Sequence, residues 1–112
     1  MNIYNEIDGL LLQILPDVYR TVKVVPTGSQ RPAKYIVWRE INIDSEMSDN
    51  EVYANQHYFS VSIFGKTELD STAIQISDLL NQNEYVKSNQ RDLDYDNTTG
   101  YYGKYLEFYK IV

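Results

Sequence analysis

VYANQHYFSVSIF, residues 52–64, alternates cleanly through its second half: Phe59, Val61 and Ile63 fall on one side, Ser60 and Ser62 on the other. A period of two with apolar residues on a single face predicts a half-buried antiparallel strand. Gly65 closes it. A sheet with one wet face needs something apolar to cover the other, and the rest of the chain supplies two amphipathic segments of helical period.

The first is Asn2 to Leu15, where Ile3, Ile7, Leu10, Leu11 and Ile14 recur at spacings of three and four. These make one apolar stripe, with Asn5, Glu6, Asp8 and Gln13 facing out, and Pro16 stops the helix because it has no N–H to donate. Gly9 weakens it slightly. The second is Leu69 to Gln82, with Ala73, Ile76, Leu79 and Leu80 on the buried stripe. Asp70 is the expected N-cap, and Leu69 and Ile74 are placed to form a hydrophobic staple across it. Asn81-Gln82-Asn83 makes a weak close.

Three further segments complete the pattern. Thr21 to Val25 is short and β-branched, and Pro26-Thr27-Gly28-Ser29 with Arg31 and Pro32 reads as a loop. Lys34 to Ile43 is a strand by composition, with Tyr35, Val37, Arg39, Ile41 and Ile43 on one face and Ile36, Trp38 and Glu40 on the other. Apolar residues on both faces near its centre predict an interior strand covered on both sides at that point. Tyr85 to Val112 reads as a hairpin: Leu93 to Asp96 inward, Asn97-Thr98-Thr99-Gly100 as the turn, and Tyr101 to Val112 outward. Between the two central strands, Asp44 to Glu51 holds Asp44, Glu46, Asp49 and Glu51 without periodicity and reads as a solvated loop. The expected architecture is a single α+β domain spanning 1–112, an antiparallel β-sheet with two amphipathic helices packed on it.

Bulk properties narrow the function. The chain has 112 residues and 43% hydrophobic content, an ordinary globular balance for one domain. Sixteen acidic against 10 basic residues give a net charge of −6, which disfavours nucleic-acid backbones and anionic membranes. There is no cysteine, which removes disulfides and thiolate metal sites. No apolar run approaches the ~20 residues of a membrane span, and the N-terminus MNIYNEIDG lacks the basic start of a signal peptide. Eleven tyrosines suit half-buried positions on sheets and at subunit contacts.

No catalytic pattern survives inspection. His57, the single histidine, falls mid-strand on the face of Phe59 and Val61, with untitratable Asn55 and Gln56 beside it, and reads as structural and partnerless. Asp92, Asp94 and Asp96 begin like a calcium loop, but Asn97 stands where glycine is needed and Gly103 where a glutamate should close the site. Gly65-Lys66-Thr67 looks like the end of a phosphate loop whose earlier glycine is replaced by Ser60. The loop acids Asp44, Glu46, Asp49 and Glu51 lack a scaffold for Mg²⁺. The expectation is therefore a protein without enzymatic activity, cofactor or metal.

YIVWREI at Tyr35–Ile41, NQHYFSVSIFGK at Asn55–Lys66, STAIQISDLL at Ser71–Leu80 and DYDNTTGYYGKYLEFYKI at Asp94–Ile111 occur in that order. From about Ile3 to Ile111 this combination resembles the tail completion, or tail-to-head joining, proteins of long-tailed bacteriophages and prophages of Gram-positive bacteria. Its motifs are patterns of residue type rather than an invariant signature. The resemblance implies a non-enzymatic virion assembly protein that forms rings, commonly hexamers, with copies of itself and contacts the tail-tube and head-connector proteins. It further implies residence in the host bacterial cytoplasm during assembly and at the virion neck afterwards, with no sequence-specific DNA contact and no membrane. Candidate contact residues are Asp44, Glu46, Asp49 and Glu51 in the acidic stretch, and Tyr101, Tyr102, Tyr105 and Tyr109 on the last strand, read as a sheet edge open to β-augmentation. The alternative reading is a small acidic protein-binding module of immunity or anti-defence type.

Overall fold

In the computed structural model, which describes residues 3–20, 32–48 and 51–111 (backbone alone at 42–48 and 51–54), five strands form one sheet in the order β1-β2-β3-β5-β4. The elements run α1 (Ile3–Leu12), β1 (Val18–Arg20), β2 (Lys34–Ser48), β3 (Glu51–Gly65), α2 (Asp70–Gln82), β4 (Val86–Asp96) and β5 (Tyr101–Ile111). Every pairing is antiparallel except β1 with β2. The expected α+β class and the interior position of the Lys34 strand both hold, but cover on its second side is partial, with Val37 half-buried and Arg39 exposed because both helices pack on the other. Thr21–Val25, and the loop expected after it up to Arg31, lie outside the described residues.

The alternation in β3 sets the layers. Phe59, Val61 and Ile63 are fully buried and meet Ile36 and Trp38 from β2 and Leu106 and Phe108 from β5. Ile7, Leu10 and Leu11 of α1 and Ala73, Ile76 and Leu80 of α2 close over this face. Each such aliphatic or aromatic side chain taken from water contributes about 1.5–3 kcal/mol before the entropy of ordering is subtracted.

Helix ends differ from expectation for local reasons. α1 gives way after Leu12 to tighter turns, Gln13 N–H donating to Leu10 O and Ile14 N–H to Leu11 O, so residues 13–15 are not regular helix. Asp70 is the first helical residue rather than the cap; Leu69 occupies the cap, and Glu68 Oε1 accepts from Ser71 N–H at 2.8 Å. No staple forms, because Ile74 points outward and is 61% exposed while Leu69 turns into the core. The weak C-terminal close is a Schellman turn, with Tyr85 N–H donating to Leu80 O and Glu84 N–H to Asn81 O, and Glu84 at φ 70°. It delivers Tyr85 into the core.

Glu6 and Asp8, expected to face solvent, instead reach the sheet. Glu6 Oε1 accepts from Lys110 Nζ at 2.7 Å and from the Tyr85 hydroxyl at 2.9 Å. Asp8 accepts from Trp38 Nε1 at 2.9 Å. A helix that lies flat on a sheet brings its flanking polar side chains within reach of buried Trp, Tyr and Lys donors, which need partners.

The stretch expected as an acidic loop is mostly strand. Asp44 to Ser48 continue β2 and Glu51 begins β3, with Asp44 opposite Gln56 and Ser48 opposite Glu51; Asp49 lies outside the described residues. The described part of β5 ends at Ile111, opposite Gln56, and among the described residues β2 and β3 run on beyond that point as a two-stranded arm. Four residue steps from Asp44 to Ser48 carry the arm about 13 Å past the sheet. Extra residues at Ile41 in β2 and Tyr53 in β3 shift its register and add twist. The molecule measures 54 × 26 × 25 Å along its principal axes.

Candidate protein-contact surfaces

Since both helices cover one side of the sheet, the side carrying Tyr35, Val37 and Arg39 of β2 has no described helix on it. The register adds Tyr58, Ser60, Ser62 and Phe64 from β3, Tyr105, Glu107 and Tyr109 from β5, and Asn89, Arg91 and Leu93 from β4. This face divides along its length. At one end Tyr35 stacks on Phe64 (centroids 5.2 Å apart), with Tyr19 and Tyr101 edge-on to it at 6.1 and 5.6 Å. Gly103 belongs here for steric reasons: a Cβ would stand 2.9 Å from Leu93 Cδ1 and 3.3 Å from Phe64 Cε1. At the other end Tyr58 and Tyr109 lie 5.4 Å apart.

The middle is charged. Arg91 lies over the Tyr105 ring at 4.7 Å, and the Tyr105 hydroxyl donates to Glu107 Oε1 at 2.6 Å. Burial, reinforced by that bond and the Glu107 charge, pushes the Tyr105 hydroxyl up to about 12, against the opposing pull of Arg91 and Arg39. Both arginines are exposed, and among the described residues neither forms an ion pair. Their value was not singled out from sequence, although alternation alone placed Arg39 beside Tyr35 and Val37.

Of the tyrosines nominated as contacts, the four do not share one environment. Tyr101 is buried, its hydroxyl donating to the Pro32 carbonyl, and serves the aromatic cluster. Tyr102 is 50% exposed and leans on Tyr95 at 4.6 Å. Tyr105 and Tyr109 are half-buried on the open face. None stands on an edge, because β5 pairs with β3 on one side and β4 on the other, which occupies its backbone donors and acceptors. The edge is β4, longer than the Leu93–Asp96 arm expected, exposed at nearly every residue, and interrupted near Ser88 and between Leu93 and Asp96. Bulges and charges of this kind discourage strand addition.

The other sequence candidates resolve structurally. His57 is not partnerless: its Nδ1 lies 2.7 Å from Glu40 Oε2, and Glu40 also accepts from the Tyr4 hydroxyl at 3.0 Å. Burial first, then that bond, raises the Tyr4 hydroxyl above its ordinary value. Among the described residues no three carboxylate or imidazole groups gather as metal donors. Asp92 binds Lys104 Nζ at 2.7 Å, and Asp96 Oδ1 accepts from Thr98 N–H at 2.9 Å to shape the turn. Lys104 also meets Asp70 at 2.7 Å, and the two carboxylates raise its ammonium above the ordinary lysine value. It floors an open groove of about 500 Å³ between the start of α2 and the last hairpin, edged by Glu68 and Tyr102. No described helix is long and apolar enough to cross a membrane.

No family model matches the chain, and neither does any curated protein. Among solved structures, a chain described as "Virion of native gene transfer agent (GTA) particle" superposes with a TM-score of 0.54, covering 96% of this chain and 88% of its own at 14% identity. The likeness covers nearly all of the chain, and at that identity it shows shared architecture alone.

Proposed function

We propose that the chain is a structural virion protein that completes a phage-like tail and joins it to the head connector, acting through contacts among copies arranged in a ring. The observation that carries this reading is the fold shared with a chain of a gene transfer agent virion across nearly the full length of both. Two surfaces support it: an arm with no third strand beside it among the described residues, and a sheet face free of described helices that carries exposed arginines and half-buried tyrosines. Isolated two-stranded ribbons are marginal in water, so an arm of this kind gains from a partner. A net charge of −6 suits a subunit near a DNA conduit, since like charge keeps phosphates from sticking.

On this reading the protein carries out no chemistry and needs no cofactor. Its partners are further copies of itself, six in the ring of the resembled family, with the tail-tube protein below and the connector above. It is made in the bacterial host and ends in the virion neck. Deleting its gene from a producing genome should leave filled heads and tails unjoined, and the full chain supplied in trans should restore complete particles. Complete particles without the gene would refute the proposal.

A further inference from the structure

Charge is unevenly placed along this chain. From Ile41 to Gly65 there is no lysine or arginine, while Asp44, Glu46 and Glu51 lie on the arm strands. The open sheet face is the reverse. Among the described side chains the strand register places Arg39, Arg91, Glu107 and Asp96 on it, with Glu107 engaged by the Tyr105 hydroxyl and Asp96 by the Thr98 N–H of the turn. Two exposed guanidinium groups therefore flank a tyrosine in the middle of a face that no described helix covers, within a protein whose total charge is negative.

We infer that this face is the receptor for the acidic arm of a second copy of the same chain. Guanidinium groups pair with carboxylates through planar, charge-assisted hydrogen bonds, and the rings of Tyr58, Tyr105 and Tyr109 supply rigid contact area around them. The reach is adequate: about 13 Å of projecting ribbon spans most of a five-stranded sheet, whose strands are spaced about 4.8 Å apart. Arm and face are different surfaces of one molecule, so the contact is head-to-tail and propagates until a ring closes. This goes beyond the ring invoked above by assigning its interface, and it rests on that reading only for the ring's place in a virion.

The test uses the full chain in two charge-reversed forms, one with Arg39→Glu and Arg91→Glu, the other with Asp44→Lys and Glu46→Lys. Wild-type protein should self-associate in light scattering, and each reversed form should dissociate at least about tenfold more readily, because like charges then face each other. The chain carrying all four changes should regain assembly. A mixture of the two half-reversed forms should also assemble, with the copies alternating, since the acidic arm of the first meets the basic face of the second and the basic arm of the second meets the acidic face of the first. A wild-type protein monomeric at high concentration, reversed forms that assemble normally, or a four-fold variant that stays apart would each overturn the inference. Circular dichroism on every form separates lost assembly from lost fold. Gene-deletion complementation reads the virion role separately: restored particles with a failed charge cycle would sink the interface alone.

Discussion

His57 Nδ1 lies 2.7 Å from Glu40 Oε2, and the same carboxylate accepts the Tyr4 hydroxyl of α1 at 3.0 Å. One acidic side chain thus ties the first helix to the strand from which the arm departs. The bulge at Ile41 lies between Glu40 and the arm, and His57 is opposite Ile43 just beyond it.

Removing that carboxylate should loosen both ends of the tie. Glu40→Ala removes the carboxylate that the half-buried Tyr4 hydroxyl and His57 ring share, for an expected loss of about 1–3 kcal/mol. Denaturant unfolding measures the loss, and hydrogen exchange should quicken in α1 before α2. Tyr4→Phe, which leaves Glu40 its histidine, should cost less.

Stability should fall in acid through Glu6. The hydrogen bond from Lys110 is the largest influence and, with Tyr85, holds this carboxyl below its ordinary value of 4.5 despite opposing burial. A depressed folded-state value means that the contribution is fully present above pH 4.5 and disappears as pH falls through the lower value. Glu6→Gln should therefore cost about 1–2 kcal/mol at neutral pH, with the gap to wild type closing as both are titrated into acid. An unchanged gap would show that the ion pair contributes nothing.

Glu84 sits at φ 70°, a conformation that costs a side-chain-bearing residue energy and costs glycine little. Glu84→Gly should leave the Schellman turn intact and raise stability by up to about 1 kcal/mol, read as an upward shift in Tm.

The layers of this fold were legible in the sequence, and the arm was not. Phe59, Val61 and Ile63 alternate because one face of β3 is buried, and that signal survives in any reading. Asp44 to Ser48 carry no such alternation because a two-stranded ribbon past the sheet has no core to face, and its backbone pairing leaves no periodic trace. The contact surface was half legible. Tyrosine excess pointed to a covered face, but strand order decides whether a strand is an edge, and β5 is flanked by β3 and β4. Likewise, nothing local to His57 announces Glu40, which stands 17 residues away.

Shortening the arm should separate folding from assembly. Deleting residues 45–50 removes ribbon beyond the last three-stranded register at Gln56, so the core and both helices keep their contacts. The Tm should move little while self-association is lost. A deletion variant that still assembles would exclude the arm.

The proposed place of this protein is in a virion, at the junction of head and tail. Immunogold labelling of purified particles carrying a tagged full chain tests it most directly. Label is expected at the neck of every complete particle, in a constant number of copies. Particles that assemble normally and carry no label would contradict it.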